Sequence, residues 1–269
     1  MWLQNNFKEG LNMNNAIKVL MYHRIVEDDG TASKHWTYVS AAQLRKHLSL
    51  LNRWGYMPIT FRDYLLYEKG KINLPKKPVI ITFDDGFEEI RKLAFPILKE
   101  YGWNAVLFVL GNRNVREDIW NTDKDYMQAR LLDVDQLREM ADGGFEIGSH
   151  SMTHANLPTI PHDKAVYEIQ KSREVLQSLT QSPIKSFSYP FGAVNGTIKE
   201  LVREAGYEIG CGVYTGPPQF FKDRFDIRRI TINNSTNTLP FAIKILSPYE
   251  YYEWYGSRLM RKFVKKNYN

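Results

Sequence analysis

Two adjacent carboxylates, Asp84 and Asp85, close the apolar, β-branched run Pro78-Val-Ile-Ile-Thr-Phe83 and precede Gly86. Neighbouring negative charges at the end of a buried strand repel one another, and a cation resolves the conflict. One carboxylate can then ligate the cation while the other handles a proton. A plain Asp-Asp-Gly turn is the simpler alternative, since Asp and Gly both favour turns. A second motif, His150-Ser-Met-Thr-His154, follows Phe145-Glu-Ile-Gly-Ser149 directly. Spacing of four puts both imidazoles on one face if the loop turns helically. With Asp85 they make a set of two histidines and one carboxylate that leaves coordination positions open, as catalytic zinc or another first-row divalent ion requires. The third motif is Ser188-Tyr189-Pro190-Phe191-Gly192. Proline and glycine fix a turn there, its aromatics suit stacking against sugar rings, and the Phe191 N–H is free to donate to an anion.

All three motifs end strand-like runs, and the C-terminal ends of strands are where α/β folds assemble their sites. Residues 17–23 read as a first buried strand, and the helix that follows starts at the N-cap Ser40 with Leu44, Leu48, Leu51 and Trp54 on one face. Residues 57–60, 78–83, 105–110, 145–148 and the runs Lys185–Pro190, Tyr207–Val213 and Arg228–Ile232 read as further strands. Helices are expected at about 88–101, 133–142, 163–179 and 195–205. This alternation predicts an α/β fold with a parallel sheet, closed as a barrel or open and doubly wound. Residues 111–130 lack periodicity and read as a loop on the active face.

At 269 residues, with 43% hydrophobic and 25% charged residues, the chain has the composition of a globular domain. The lone Cys211 lies in an apolar run and reads as a buried thiol. It excludes an intramolecular disulfide and a cysteine-rich zinc site. His35, His47 and His162 read as surface or core residues, with His47 beside an apolar helix face. Arg258, Arg261, Lys262, Lys265 and Lys266 carry five of the six net positive charges, so the body of the chain is nearly neutral. No nucleic-acid partner is expected from so local a basicity.

The sequence TFDDG, then HSMTH, then a YPFG-type turn, in that order on alternating strands and helices, resembles the polysaccharide deacetylase family with its NodB homology domain (carbohydrate esterase type 4). The opening Val19-Leu-Met-Tyr-His23-Arg-Ile25 is similar to the poly-N-acetylglucosamine deacetylase branch. The likeness spans about residues 17 to 233. It implies a deformed (β/α)7-type barrel, a divalent metal (zinc first, with cobalt, nickel or manganese as alternatives), and hydrolysis of N-acetyl groups on an amino-sugar-containing glycan or glycan precursor. Carried over, Asp85, His150 and His154 hold the metal and Asp84 is the general base. Ser151 and Thr153 shape the histidine loop, Tyr189, Pro190, Phe191 and Gly192 meet the substrate, and the Phe191 N–H faces the oxyanion. The chain departs from the pattern twice: Ser188 stands where the third motif usually has arginine, and asparagines occupy the late segment that usually supplies a histidine acid. His23, at the end of the first strand, is the replacement acid to consider, or else a residue hydrogen-bonded to a metal ligand. Arg229 either stands in for the missing arginine or is a solvated charge.

The expected organisation is an extension at 1–16, a catalytic domain at 17–240 and a basic, aromatic helical tail at 241–269. On a helical wheel Tyr252, Tyr255, Leu259 and Phe263 share a face beside the basic residues. That pattern suits either packing on the barrel or an anionic membrane. The first residues lack the apolar core of a signal peptide, which predicts a cytoplasmic chain, peripheral at the inner membrane face if the tail binds lipid. A chain whose leader had been removed would read the same. The expected partner is an N-acetylated glycan or a lipid-linked oligosaccharide. The competing functions are a non-catalytic carbohydrate-binding relative and a deformylase or deacetylase of a lipid-linked sugar.

Overall fold

The computed structural model describes residues 17–123, 126–216, 220 and 222–256. Among them the strands run β1 (Lys18–Tyr22), β2 (Arg24–Val26), β3 (Tyr38–Ser40), β4 (Met57–Ile59), β5 (Pro78–Phe83), β6 (Val106–Val109), β7 (Glu146–Ser149), β8 (Ser186–Ser188), β9 (Ile209–Cys211) and β10 (Ile230–Thr231). β2 and β3 pair only with each other. The rest form one parallel sheet in the order β10-β1-β5-β6-β7-β8-β9. β4 shares one edge of β5 with β6: β4 lies along residues 78–80 and β6 along 82–83. The sheet curls until its edges are nearly joined. Ile227 bridges Cys211 beyond β9, while Ile230 three residues later pairs with Leu20 of β1. The expected deformed α/β barrel is the observed fold.

Strand periodicity of two sorts the side chains into two apolar layers. Leu20, Val79, Ile81, Leu107 and Phe187 face outward and meet Leu44, Leu48, Ile169, Leu176 and Val202 from the surrounding helices. Val19, Ile80, Val106, Phe108, Ile209, Cys211 and Ile227 face inward. They are closed off below by Phe61 and Tyr64 of the helix Phe61–Glu68. The interior is therefore packed through its middle, which leaves polar groups to its two ends.

Helix ends follow the expected capping chemistry. The Ser40 side chain accepts from the Gln43 N–H to start Ala41–Arg53, and Asp133 and Gln136 form a capping box for Val134–Asp142. The helix expected over 88–101 opens instead as a wide π-turn, Ile90–Ala94, before regular α geometry over Phe95–Glu100. Pro96 has no N–H to donate and its ring crowds the preceding turn, so the widening falls just before it. The thiol of Cys211 is buried, as expected, and burial pushes its pKa up.

The segment after β10 packs on the barrel. Phe241 of the helix Thr238–Leu246 stacks on His47 with ring centroids 4.1 Å apart. Lys18 and Glu250 form a buried ion pair at 2.7 Å. Tyr252 and Tyr255 are exposed. Leu259, Phe263 and the five basic residues of the tail lie outside the described residues, as does the 1–16 extension. No helix among the described residues is long and apolar enough to cross a membrane.

Candidate active site and metal centre

The inward parity of Ile80 continues through Thr82 to Asp84, and that of Ile227 through to Arg229. Both charged side chains are thus delivered to the top of the barrel interior. There they pair: Arg229 Nη1 lies 2.7 Å from Asp84 Oδ1 and Nη2 lies 2.7 Å from Oδ2. The guanidinium's other N–H groups donate to Gly212 O, Thr82 Oγ1 and Ser188 Oγ, so all five are used. Burial alone would raise the Asp84 pKa, but the charge and hydrogen bonds of Arg229 hold it below the usual carboxylate range. Of the two sequence readings of Arg229, the solvated charge is corrected: it is fully buried against Asp84. Ser188 is small enough to leave it that space and also donates to Asp84 Oδ2 at 3.3 Å.

Asp85 departs from strand geometry, with a left-handed backbone at φ 72°, and its carboxylate meets the histidine pair. Its Oδ1 sits 3.4 Å from His150 Nε2 and 3.3 Å from His154 Nε2. His150 Nδ1 donates to the Ser188 carbonyl at 2.7 Å, which fixes the proton there and leaves the Nε2 lone pair facing Asp85. Asp85 Oδ1 is buried and has no hydrogen-bond partner. The three potential ligand atoms lie within 4.8 Å of one another. One carboxylate oxygen and two imidazole nitrogens thus converge on a buried point, and a divalent cation fits such a set. Burial raises the Asp85 pKa, but both histidines outweigh it and hold the carboxyl far below its usual value. Burial favours neutral imidazoles; in His154 it prevails and lowers the pKa, whereas in His150 the two aspartates prevail and raise it.

The backbone at the rim is strained. Among the described residues five other than glycine have positive φ, and four of them are Asp85, Ser151, His154 and Phe191. Such conformations cost about 1–3 kcal/mol each and persist only where the surroundings enforce them. Gly86 is needed for a related reason: its φ is +78° and a Cβ there would meet Val109 at 2.8 Å.

His23 lies just past β1, half-buried, with its ring 6.4 Å from Trp36. Tyr22 pairs with Phe83 on the adjacent strand, so His23 and Asp84 leave the sheet side by side at the same rim. The third motif needs a correction. The Tyr189 ring is wholly buried against Phe187 and its hydroxyl donates to Phe225 O at 3.0 Å, so it cannot stack on a sugar. Pro190 and Gly192 are buried as well and shape the turn. Phe191 alone presents its ring, 52% exposed, with its edge against His154 at 4.5 Å. The unperiodic loop contributes Trp120, which the sequence reading missed. It stacks on His154 at 4.3 Å, so that imidazole is held between two aromatic side chains. An isolated tryptophan in a polar, unperiodic segment was the available signal. His47 is a satisfied core residue, hydrogen-bonded to Tyr22 and to Thr236 O. His35 is likewise buried and hydrogen-bonded.

Residues 71–210 match the sequence model of the family described as polysaccharide deacetylase. YxkH of Bacillus subtilis, which carries the same family name, is 25% identical over 86% of this chain and 76% of its own length. The poly-beta-1,6-N-acetyl-D-glucosamine N-deacetylase of Escherichia coli is 25% identical over 88% of this chain, and the aligned part is 39% of that protein. The solved Streptococcus pyogenes deacetylase PplD, in complex with acetate, shares the fold with a TM-score of 0.72. It is 22% identical, covering 86% of this chain and 98% of that one. The matched model covers just over half the sequence and includes both the carboxylate pair and the histidine pair, and the chain belongs to the polysaccharide deacetylase family.

Proposed function

We propose that this protein removes N-acetyl groups from amino-sugar residues of a glycan, using a divalent metal held by Asp85, His150 and His154. The observation that carries this reading is the unsatisfied Asp85 Oδ1 facing two imidazole nitrogens at 3.3–3.4 Å beside a second, separately clamped carboxylate. The mixed nitrogen and oxygen donor set favours zinc; cobalt, nickel and manganese accept the same ligands. When bound, such an ion supplies Lewis acidity, polarising a carbonyl oxygen and making water more acidic.

The chain's own residues supply the rest. Asp84 receives the proton of the attacking water. Its hydrogen bonds to Arg229 and Ser188 occupy three of about four acceptor positions and leave one on Oδ1 for that purpose. Arg229 fixes the plane of the carboxylate and keeps it ionised. The Phe191 N–H, carried on a left-handed turn at φ 59°, donates to the developing oxyanion. His23 protonates the departing amine, since an amide nitrogen leaves poorly as an anion. The exposed rings of Phe191 and Trp36 give a sugar apolar faces to rest on.

The E. coli relative acts, by its name, on poly-beta-1,6-N-acetyl-D-glucosamine, and an N-acetylglucosamine polymer is accordingly the substrate class to test first. The assay is acetate release from β-1,6-linked N-acetylglucosamine oligomers, with formylated oligomers and chelated enzyme as further arms. Release that chelation abolishes and zinc restores supports the proposal. Formate release alone identifies a deformylase, and binding without release identifies a non-catalytic carbohydrate-binding protein.

A further inference from the structure

Between the two candidate ligand histidines the chain makes a tight loop with Ser151 at φ 64° and His154 at φ 63°. Part of what holds it is backbone: His150 N–H donates to Val109 O, and Ser151 O and Met152 O accept from Gly111 and Asn112. The Ser151 hydroxyl accepts from the His154 N–H at 3.1 Å. Three further donors converge on one side chain from another element. Glu168 Oε2 accepts from the Met152 and Thr153 N–H groups, each at 2.9 Å, and Oε1 accepts from the Thr153 hydroxyl at 2.7 Å.

Glu168 sits on the helix His162–Thr180 among Ala165, Ile169, Ser172 and Leu176, the face that packs inward. A carboxylate on such a face is costly unless hydrogen-bonded. Here both oxygens are used by the histidine loop. Two successive N–H groups turned toward one anion form a small anion-binding nest. Loss of the clamp would remove the side-chain hydrogen bonds that reach this strained loop from another element.

We infer that Glu168 is the positioning residue of the metal centre, setting the His150–His154 geometry through residues 152 and 153; this rests on the metal-dependent reading above. The carboxylate touches neither ligand. Its effect reaches the metal through the backbone on which His154 is carried.

The test is the affinity of the metal-stripped full-length protein for zinc alone, read by competition with a chromogenic chelator, with thermal melting measured alongside. Glu168→Ala is expected to weaken zinc binding about 10–100-fold, the range found when groups supporting metal ligands are removed. Glu168→Gln can still accept both N–H groups and donate to the Thr153 hydroxyl, so it is expected to keep affinity within about threefold of the parent. Thr153→Val removes one bond and should cost a few-fold (roughly 2–5). Should Glu168→Ala fail to fold, the affinities of Glu168→Gln and Thr153→Val decide. Folded Glu168→Ala that binds zinc as tightly as the parent overturns the clamp while leaving the metal reading intact. In the absence of folded Glu168→Ala, Thr153→Val at parental affinity overturns it. A parent protein that takes up no zinc overturns both.

Discussion

The two ends of the barrel interior each hold buried acid, and they treat it differently. At the lower end Glu146 accepts from the Arg62 N–H at 2.7 Å and the Ser186 hydroxyl at 2.8 Å, so both oxygens are satisfied by ordinary donors. No cation is needed, and burial raises its pKa. At the upper rim Asp84 is neutralised by a buried arginine, while Asp85 and His154 each keep a buried polar atom without a partner. Strained backbone is gathered at that end too. One end of the interior spends its polar groups on holding the plug helix in place. The other leaves two of them unsatisfied and holds the rest in position, the state expected of a site that awaits a ligand.

The contrast can be broken most severely at Asp85. Asp85→Ala should lower acetate release by at least about 10³-fold by removing a metal ligand, with melting temperature little changed; steady-state assays and calorimetry check this. Next is Arg229→Met, which leaves Asp84 buried and uncompensated and should cost about 3–5 kcal/mol in urea unfolding. It should also shift the acid limb of the pH–rate profile upward, because the clamp that depresses the Asp84 pKa is gone.

A smaller effect should come from His47, in the layer between sheet and helices. Burial lowers its pKa to about 4, below the ordinary histidine value. The unfolded chain therefore binds the proton first. The stability His47 contributes is complete above about pH 6.5 and is lost as pH falls toward 4, on the order of 2 kcal/mol between pH 7 and 5. His47→Gln should flatten that part of the stability–pH curve. The smallest effect is expected at the lower end. Glu146→Gln can keep both hydrogen bonds and should change stability by under about 1 kcal/mol, with zinc affinity and acetate release as in the parent.

Sequence made the upper rim legible where chemistry is local. The two carboxylates are adjacent, the two histidines are four positions apart, and each pair directly follows a strand, so type and spacing carry the information. Arg229 was harder, because its partner Asp84 lies 145 positions away and only the closing of the sheet brings them together. Glu168 was invisible for the same reason: a glutamate on a long helix reads as solvated until the helix face is known. Tyr189 was misread although a local signal existed. It has the parity of Phe187, two residues earlier on β8, and so continues the strand's outward, core-facing row. The lone small sheet of β2 and β3 had no distinct pattern, being three residues in each strand.

The central claim is that one divalent ion sits among Asp85, His150 and His154. Crystals of the protein grown with zinc, with anomalous diffraction recorded on both sides of the zinc absorption edge, test it directly. The account predicts a single strong anomalous peak about 2.0–2.2 Å from an Asp85 carboxylate oxygen and from both Nε2 atoms. A zinc-replete crystal with no peak there, or with its zinc bound by other residues, would contradict it.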